Sequence, residues 1–164
     1  MPNNDPASTP SLLLNLEQYL PAQINFLANK LSAGASACYR KHFGVGIVEW
    51  RLLALLAIEN NMTANRMCSI IGIDKAAVSR AIRQMERNRL ITTLSDPDDA
   101  RRVIIQISAD GRRLHDQMIR VALKREELLL AHFTAAETRL LLDMLQRLNQ
   151  QIETVNCYEP LDHN

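Results

Sequence analysis

IDKAAVSRAIRQMERNRLITTLSDPDDARRVIIQISADG, residues Ile73 to Gly111, is the stretch whose reading decides the fold. Asp74 is a helix-capping type of residue, and the segment after it separates into two faces when wound at helical pitch. Val78, Ile82 and Met85, flanked by Ala81, make an apolar stripe. Opposite lie Ala76, Arg80, Arg83 and Arg87, with Ser79 at the edge. Two β-branched runs follow, Leu90 to Leu94 and Arg102 to Ile107, and they read as a hairpin. The loop between them, Ser95 to Arg101, contains Asp-Pro-Asp-Asp, whose residue types favour turns. Ser108 then caps another helix.

Upstream, Thr63 is a candidate N-cap for a short helix with Ala64, Met67, Cys68 and Ile71 on its apolar face. Gly72 closes that helix and Ile73 plugs the turn. Two short helices joined by a glycine-containing turn are the helix-turn-helix signal, and the hairpin beside them supplies a wing. The expected class is mainly α with a small two-stranded β-wing, a winged helix-turn-helix.

Met1 to Pro10 is polar and proline-rich and is expected to be a disordered lead-in. Ser11 caps a short apolar helix over Leu12 to Leu20, and Pro21 suits the first turn of a longer one. There Ile24, Leu27, Ala28, Leu31, Ala35, Cys38 and His42 share one stripe, and Gly44 and Gly46 end the helix. The next helix, Val48 to Glu59, has Trp50, Leu53, Ala54 and Ala57 along one face. Past the wing, a helix from Ser108 to about Ala131 carries Leu114, Met118, Val121 and Leu128. Thr134-Ala-Ala-Glu137 forms a capping box for a last helix to about Val155, with Leu140, Leu141, Met144, Leu145 and Leu148.

Charge separates the chain into two parts. Its 164 residues carry a net charge of +1. The span from Ala64 to Arg113 holds ten basic and six acidic residues, a balance of +4 that leaves −3 for the remainder. A basic footprint on a near-neutral chain fits a nucleic-acid face attached to a body of other purpose. Arginine's planar fork satisfies guanine O6 and N7 together, or a phosphate. The fourth helix is therefore expected to read bases through Ala76, Ala77, Ser79, Arg80 and Arg83, with Lys75, Arg66 and Arg87 mainly on phosphate. At the hairpin tip, Arg101 is expected to enter the minor groove, held in place by Asp99.

From Gly72-Ile-Asp-Lys-Ala-Ala-Val-Ser-Arg80, through Leu90-Ile91 and Asp96-Pro-Asp-Asp-Ala-Arg-Arg102, to Ile107-Ser-Ala-Asp-Gly111, the chain resembles the MarR family of bacterial transcriptional regulators. The resemblance spans about Gly46 to Leu148. It is carried by a D-x-R wing motif (Asp99 to Arg101) and by a helix start similar to Leu-Thr-x-x-Gly, with Ile107 and Ser108 as mild substitutions. Two places depart from the family pattern. Asn88-Arg89 stands where glycine usually precedes the Leu-Ile pair, with Asn88 expected to supply the left-handed turn. Thr92 and Thr93 replace positions that are often basic.

The resemblance implies a homodimer with intertwined N- and C-terminal helices, reading a palindromic operator on double-stranded DNA. The terminal helices independently carry more apolar surface than one small winged domain can cover. The expected organisation is a lead-in at 1–10, N-terminal dimerisation helices at 11–46, the DNA-binding domain at 47–110, C-terminal dimerisation helices at 111–156 and a tail at 157–164. The resemblance also implies release by a small aromatic or phenolic effector, with Tyr39, His42, Phe43, Trp50 and Arg51 as lining. Trp50 and Phe43 in particular are more often core residues than ligand contacts.

Other chemistries are weaker. Cys38, Cys68 and Cys157 form no CxxC pair, so neither a disulfide framework nor a zinc knuckle is indicated. A thiol-based redox-sensing repressor is the nearest rival mechanism. Cys38 and His42 stand four apart, but further metal ligands are not assignable. No cofactor, metal or catalytic residue is expected: HExxH, a phosphate-cradling glycine loop and a nucleophile elbow are all missing. His115-Asp116 reads as a solvated pair pointing apart. A helical protein-binding adaptor without DNA binding is the rival of a different class. Without a signal peptide or a long apolar run, the expected location is cytoplasmic, with no membrane partner.

Overall fold

The computed structural model describes residues 13–97, 99 and 102–160. The expectations for the lead-in, Ser11, Leu12 and Arg101 fall outside them. The chain divides into two compact units, Met1–Met118 and Ile119–Asn164. The first holds α1 (Leu20–Phe43), α2 (Ile47–Ile58), α3 (Ala64–Ile71), α4 (Lys75–Arg87), β1 (Ile91–Ser95), β2 (Val103–Ile107) and the start of α5 (Ala109–Leu129). The second holds the rest of α5, α6 (Ala135–Gln150) and α7 (Ile152–Asn156). Helices with a two-stranded antiparallel sheet bear out the expected fold class. No helix among the described residues is long and apolar enough to cross a membrane.

The first unit is built around α2, which packs against α1, α3, α4 and β2. Because α2 is apolar around most of its circumference, it buries Leu52, Leu53 and Leu56; of the face expected from Trp50, Leu53, Ala54 and Ala57, only Leu53 is fully buried. Met67 of α3, Val78 and Met85 of α4, Ile105 of β2 and Met118 of α5 complete a closely packed core.

Start and stop signals act largely as their chemistry dictates. Thr63 Oγ1 accepts the Arg66 N–H at 3.3 Å and Asp74 Oδ1 accepts the Ala77 N–H at 2.9 Å. Gly72 takes the left-handed conformation, φ 69°, that closes α3. The left-handed residue after α4 is Arg89, φ 58°, and not Asn88, φ −82°. The Leu90 N–H reaches Met85 O (2.9 Å) and the Arg89 N–H reaches Glu86 O (2.9 Å), a Schellman closure with Leu90 and Met85 both buried. In that closure the left-handed position falls one residue after the helix cap.

The wing strands pair from Ile91↔Ile107 to Ser95↔Val103. The middle of β2 is also anchored by a bridge that the sequence did not suggest, Met62↔Ile105, with backbone bonds of 3.1 and 2.8 Å. Asn60 Oδ1 adds an acceptor for the Ile107 N–H at 3.0 Å. Ser108 Oγ accepts the Gly111 N–H at 2.9 Å and so caps α5. A Cβ on Gly111 would run into the Leu90 carbonyl, so glycine is required where α5 crosses the end of α4.

Two further expectations fail. Of the helix expected over Leu12 to Leu20, the described residues 13–19 are not helical: Asn15 Oδ1 accepts the Glu17 N–H at 3.0 Å within a turn, and α1 starts at Leu20. The α1 stripe is a different case: the buried residues are Ala35, Ser36 and Tyr39, while Ile24, Leu27 and Leu31 are exposed, which agrees with more apolar surface than the winged domain covers. The last helix is interrupted at Gln151, where α6 gives way to α7. Its start does hold: Thr134 and Glu137 form the reciprocal capping box, and bonds from Thr134 keep the Glu137 carboxyl below its ordinary pKa.

Candidate nucleic-acid interface

Burial of Val78, Ala81 and Met85 fixes the rotation of α4 and therefore which side chains face outward. Lys75, Ala76, Arg80, Arg83 and Arg87 are exposed, and Ala77 and Ser79 are half-buried at the margin. Among the described residues, no hydrogen bond or ion pair engages the Arg80 or Arg83 guanidinium. Arg87 donates to Gln84 Oε1 at 2.5 Å along its own helix. Arg66 is paired with Glu59 at 2.6 Å, so its charge is already offset at short range. The α4 face thus presents small residues near the helix start and unengaged guanidiniums one and two turns later.

The wing stands against the end of α4, where Thr93 Oγ1 donates to Glu86 Oε1 at 2.5 Å. Arg102 pairs with Asp96 (3.5 Å), and its N–H bonds to Asp99 O at 2.8 Å. Asp99 is exposed; Arg101 lies outside the described residues. A cleft of about 490 Å³ separates the α4 face from the corner between α1 and α2, with Arg40 and Glu49 on its far side. Arg40 did not figure among the residues expected to bind DNA, because from sequence it is simply part of the basic end of a long helix.

Most of the expected effector residues converge in a separate cluster. The Tyr39 ring lies 5.8 Å from Trp50 and 6.4 Å from Phe43, and Tyr39 is only 3% exposed. His42 is exposed and meets the Phe43 ring edge-on at 6.5 Å. Arg51 is tied to Ser32 Oγ at 3.0 Å. A hollow of about 400 Å³ opens beside Trp50 and Arg51, lined by Ala54, Leu55, Ile58 and Ile71. His115 corrects the sequence reading: it is buried, stacks on Trp50 at 5.6 Å with ring planes 16° apart, and places Nδ1 3.0 Å from Asp116 Oδ1. Its spacing from Gly111 and Met118, both buried on α5, was the available signal.

Cys38 and Cys68 are half-buried and Cys157 is exposed, all three as free thiols. Among the described residues, no group of three or more His, Cys, Asp or Glu side chains is arranged to hold a metal ion.

A family model for the MarR family matches residues 43–102. A crystal structure of a MarR/EmrR family transcriptional regulator from Acinetobacter sp. ADP1 is 33% identical, covering 86% of this chain and 99% of that one, with a TM-score of 0.80. An uncharacterized HTH-type transcriptional regulator of Bacillus subtilis (strain 168), YdgJ, is 26% identical over 114 residues, 70% of each chain. A regulator from Listeria monocytogenes, ascribed to the MarR family and solved with a 26mer DNA, shares the fold at 22% identity. That likeness covers 79% of this chain and 86% of the other, with a TM-score of 0.74.

Proposed function

This chain belongs to the MarR family of DNA-binding transcriptional regulators, and from that premise we propose that it is a cytoplasmic, ligand-responsive repressor. It binds a palindromic operator as a homodimer and is released by a small aromatic or phenolic effector. The observation that carries the DNA-reading part is the α4 face, where Arg80 and Arg83 stand exposed beyond the small residues Ala76 and Ala77. Inserted into a major groove, this helix reads base edges with Ala76, Ala77, Ser79, Arg80 and Arg83. Lys75, Arg66 and Arg87 meet phosphates, Arg66 by exchanging Glu59 for the DNA backbone. Arg101, steadied by Asp99, takes the minor groove. The DNA complex of the Listeria regulator is consistent with this use of the fold.

Two exposed apolar faces support the homodimer: Ile24, Leu27 and Leu31 on α1, and Leu140, Leu141, Met144, Leu145 and Leu148 on α6. Two-fold symmetry sets half-sites about 10 bp apart. Support for the effector comes from Tyr39, Phe43 and Trp50, with Arg51 beside them as a partner for an acidic or phenolic group. Titrating the DNA upstream of the protein's own gene in a mobility-shift assay tests the reading. A salt-sensitive, sequence-preferring complex that dissociates with an aromatic acid or phenol is expected. Equal affinity for unrelated duplexes, or no complex, contradicts it.

A further inference from the structure

The cleft beside α4 is built from two directions. Ala77, Arg80, Arg83 and Arg87 line it from α4, and Arg40 lines it from the last turn of α1. The Arg40 guanidinium and the Glu49 carboxylate both lie over Gly46: a Cβ there would stand 2.9 Å from Glu49 Oε2, 3.3 Å from Arg40 Nη2 and 3.4 Å from Arg40 Nε. The bare glycine leaves room for the guanidinium against the start of α2. Glu49, the acid lining the cleft, accepts the Gly46 N–H at 3.1 Å and is not ion-paired with Arg40 among the described residues. Four guanidiniums and one carboxylate thus line a space of about 490 Å³ that is open to solvent, three guanidiniums from α4 and the Arg40 guanidinium and Glu49 carboxylate from the other side. Mutual repulsion within such a group is relieved by a polyanion.

We propose that this cleft receives the sugar-phosphate backbone of one DNA strand, with Arg40 gripping phosphate from the side opposite α4. The inference rests on the DNA-binding reading and extends it to a residue outside the helix-turn-helix. A helix lying in a major groove is flanked by the two phosphate strands that border the groove, so whatever faces it across a cleft meets one of them. Arg87, one turn beyond Arg83, meets the same strand from the α4 side. Arg40 therefore contributes affinity and orientation without sequence preference.

The test is a titration of operator and unrelated duplexes by fluorescence anisotropy over a range of salt, using wild type, Arg40→Gln, Arg40→Lys and Arg83→Ala. Arg40→Gln is expected to weaken both duplexes about tenfold and to lower the salt slope by about one per protomer. Arg40→Lys keeps most of the affinity, since a phosphate needs charge more than the fork. Arg40 is exposed, so thermal midpoints should match wild type. Ethylation interference on the wild-type complex needs no variant and should show one additional essential phosphate per half-site at the groove edge.

Wild-type affinity and slope in Arg40→Gln, with Arg83→Ala impaired, overturns the cleft assignment and leaves the DNA reading standing. Absence of salt-sensitive binding by the wild type overturns both. Benzoate that displaces DNA from wild type but not from Arg40→Gln, with an unchanged slope, makes the cleft a small-anion site and overturns the proposal.

Discussion

Helices α4 and α6 are both amphipathic and both capped by a side chain, yet one chain covers the apolar face of only one of them. On α4 the inward residues reach essentially complete burial, with Val78 and Met85 at 0% exposure. On α6 every large apolar residue is solvent-facing, from Leu140 at 53% to Leu148 at 38%. The first helix gets its rotation from α2, α3 and β1, and its polar face, left exposed, is the proposed DNA-reading surface. The second leaves its apolar face exposed to solvent, and a second copy of the chain is its proposed occupant. Amphipathicity alone therefore does not say what a helix packs against; coverage does.

The comparison breaks most visibly if α6 is charged. Leu141→Glu with Leu145→Glu is expected to cost roughly 3–6 kcal/mol of association, since each lost leucine removes about 1.5–3 kcal/mol of burial. Sedimentation equilibrium should then show a dimer dissociation constant raised a hundredfold or more; an unchanged dimer means that α6 is not its interface. Met85→Ala probes the covered helix: about 2–5 kcal/mol of folding stability should vanish in denaturant titrations. A loss below 1 kcal/mol would mean that the core around α4 collapses to fill the gap.

A smaller effect of opposite sign is expected at Arg89. Replacing it with glycine relieves a left-handed backbone and should stabilise the protein by about 0.5–1 kcal/mol, read as a rise in Tm. The smallest change concerns the α6 cap. Because the folded Glu137 pKa is depressed, the capping contribution is complete above the ordinary glutamate value and is lost as pH falls through the lower folded one. Amide exchange at Thr134 should quicken over that acidic window and not near neutrality.

Much of the winged domain was legible because its signals are local. Thr63, Gly72, Asp74 and Ser108 each satisfy backbone groups within a few residues, and the apolar period of α4 picked out its buried face. Long-range pairings were not legible. The bridge between Met62 and Ile105 joins residues far apart in sequence, and nothing local announces it. The stack of His115 on Trp50 was missed because adjacent Asp116 suggested a solvated pair, whereas helix rotation turns the imidazole inward. Asn88 was preferred to Arg89 for the left-handed position on residue type, but the Schellman bonds set it one residue later. The stripe on α1 marked an apolar surface that the single chain leaves uncovered, which is the excess apolar area its composition had implied.

The central claim, that the unengaged guanidiniums of α4 read DNA, is tested most directly by one comparison. Affinity for the upstream operator and for an unrelated duplex should be measured at several salt concentrations for wild type and for Arg80→Ala with Arg83→Ala. The account predicts that discrimination between the duplexes falls by roughly 2–6 kcal/mol in the variant, while salt-dependent binding to the unrelated duplex persists. Discrimination retained in full by a folded variant would contradict it.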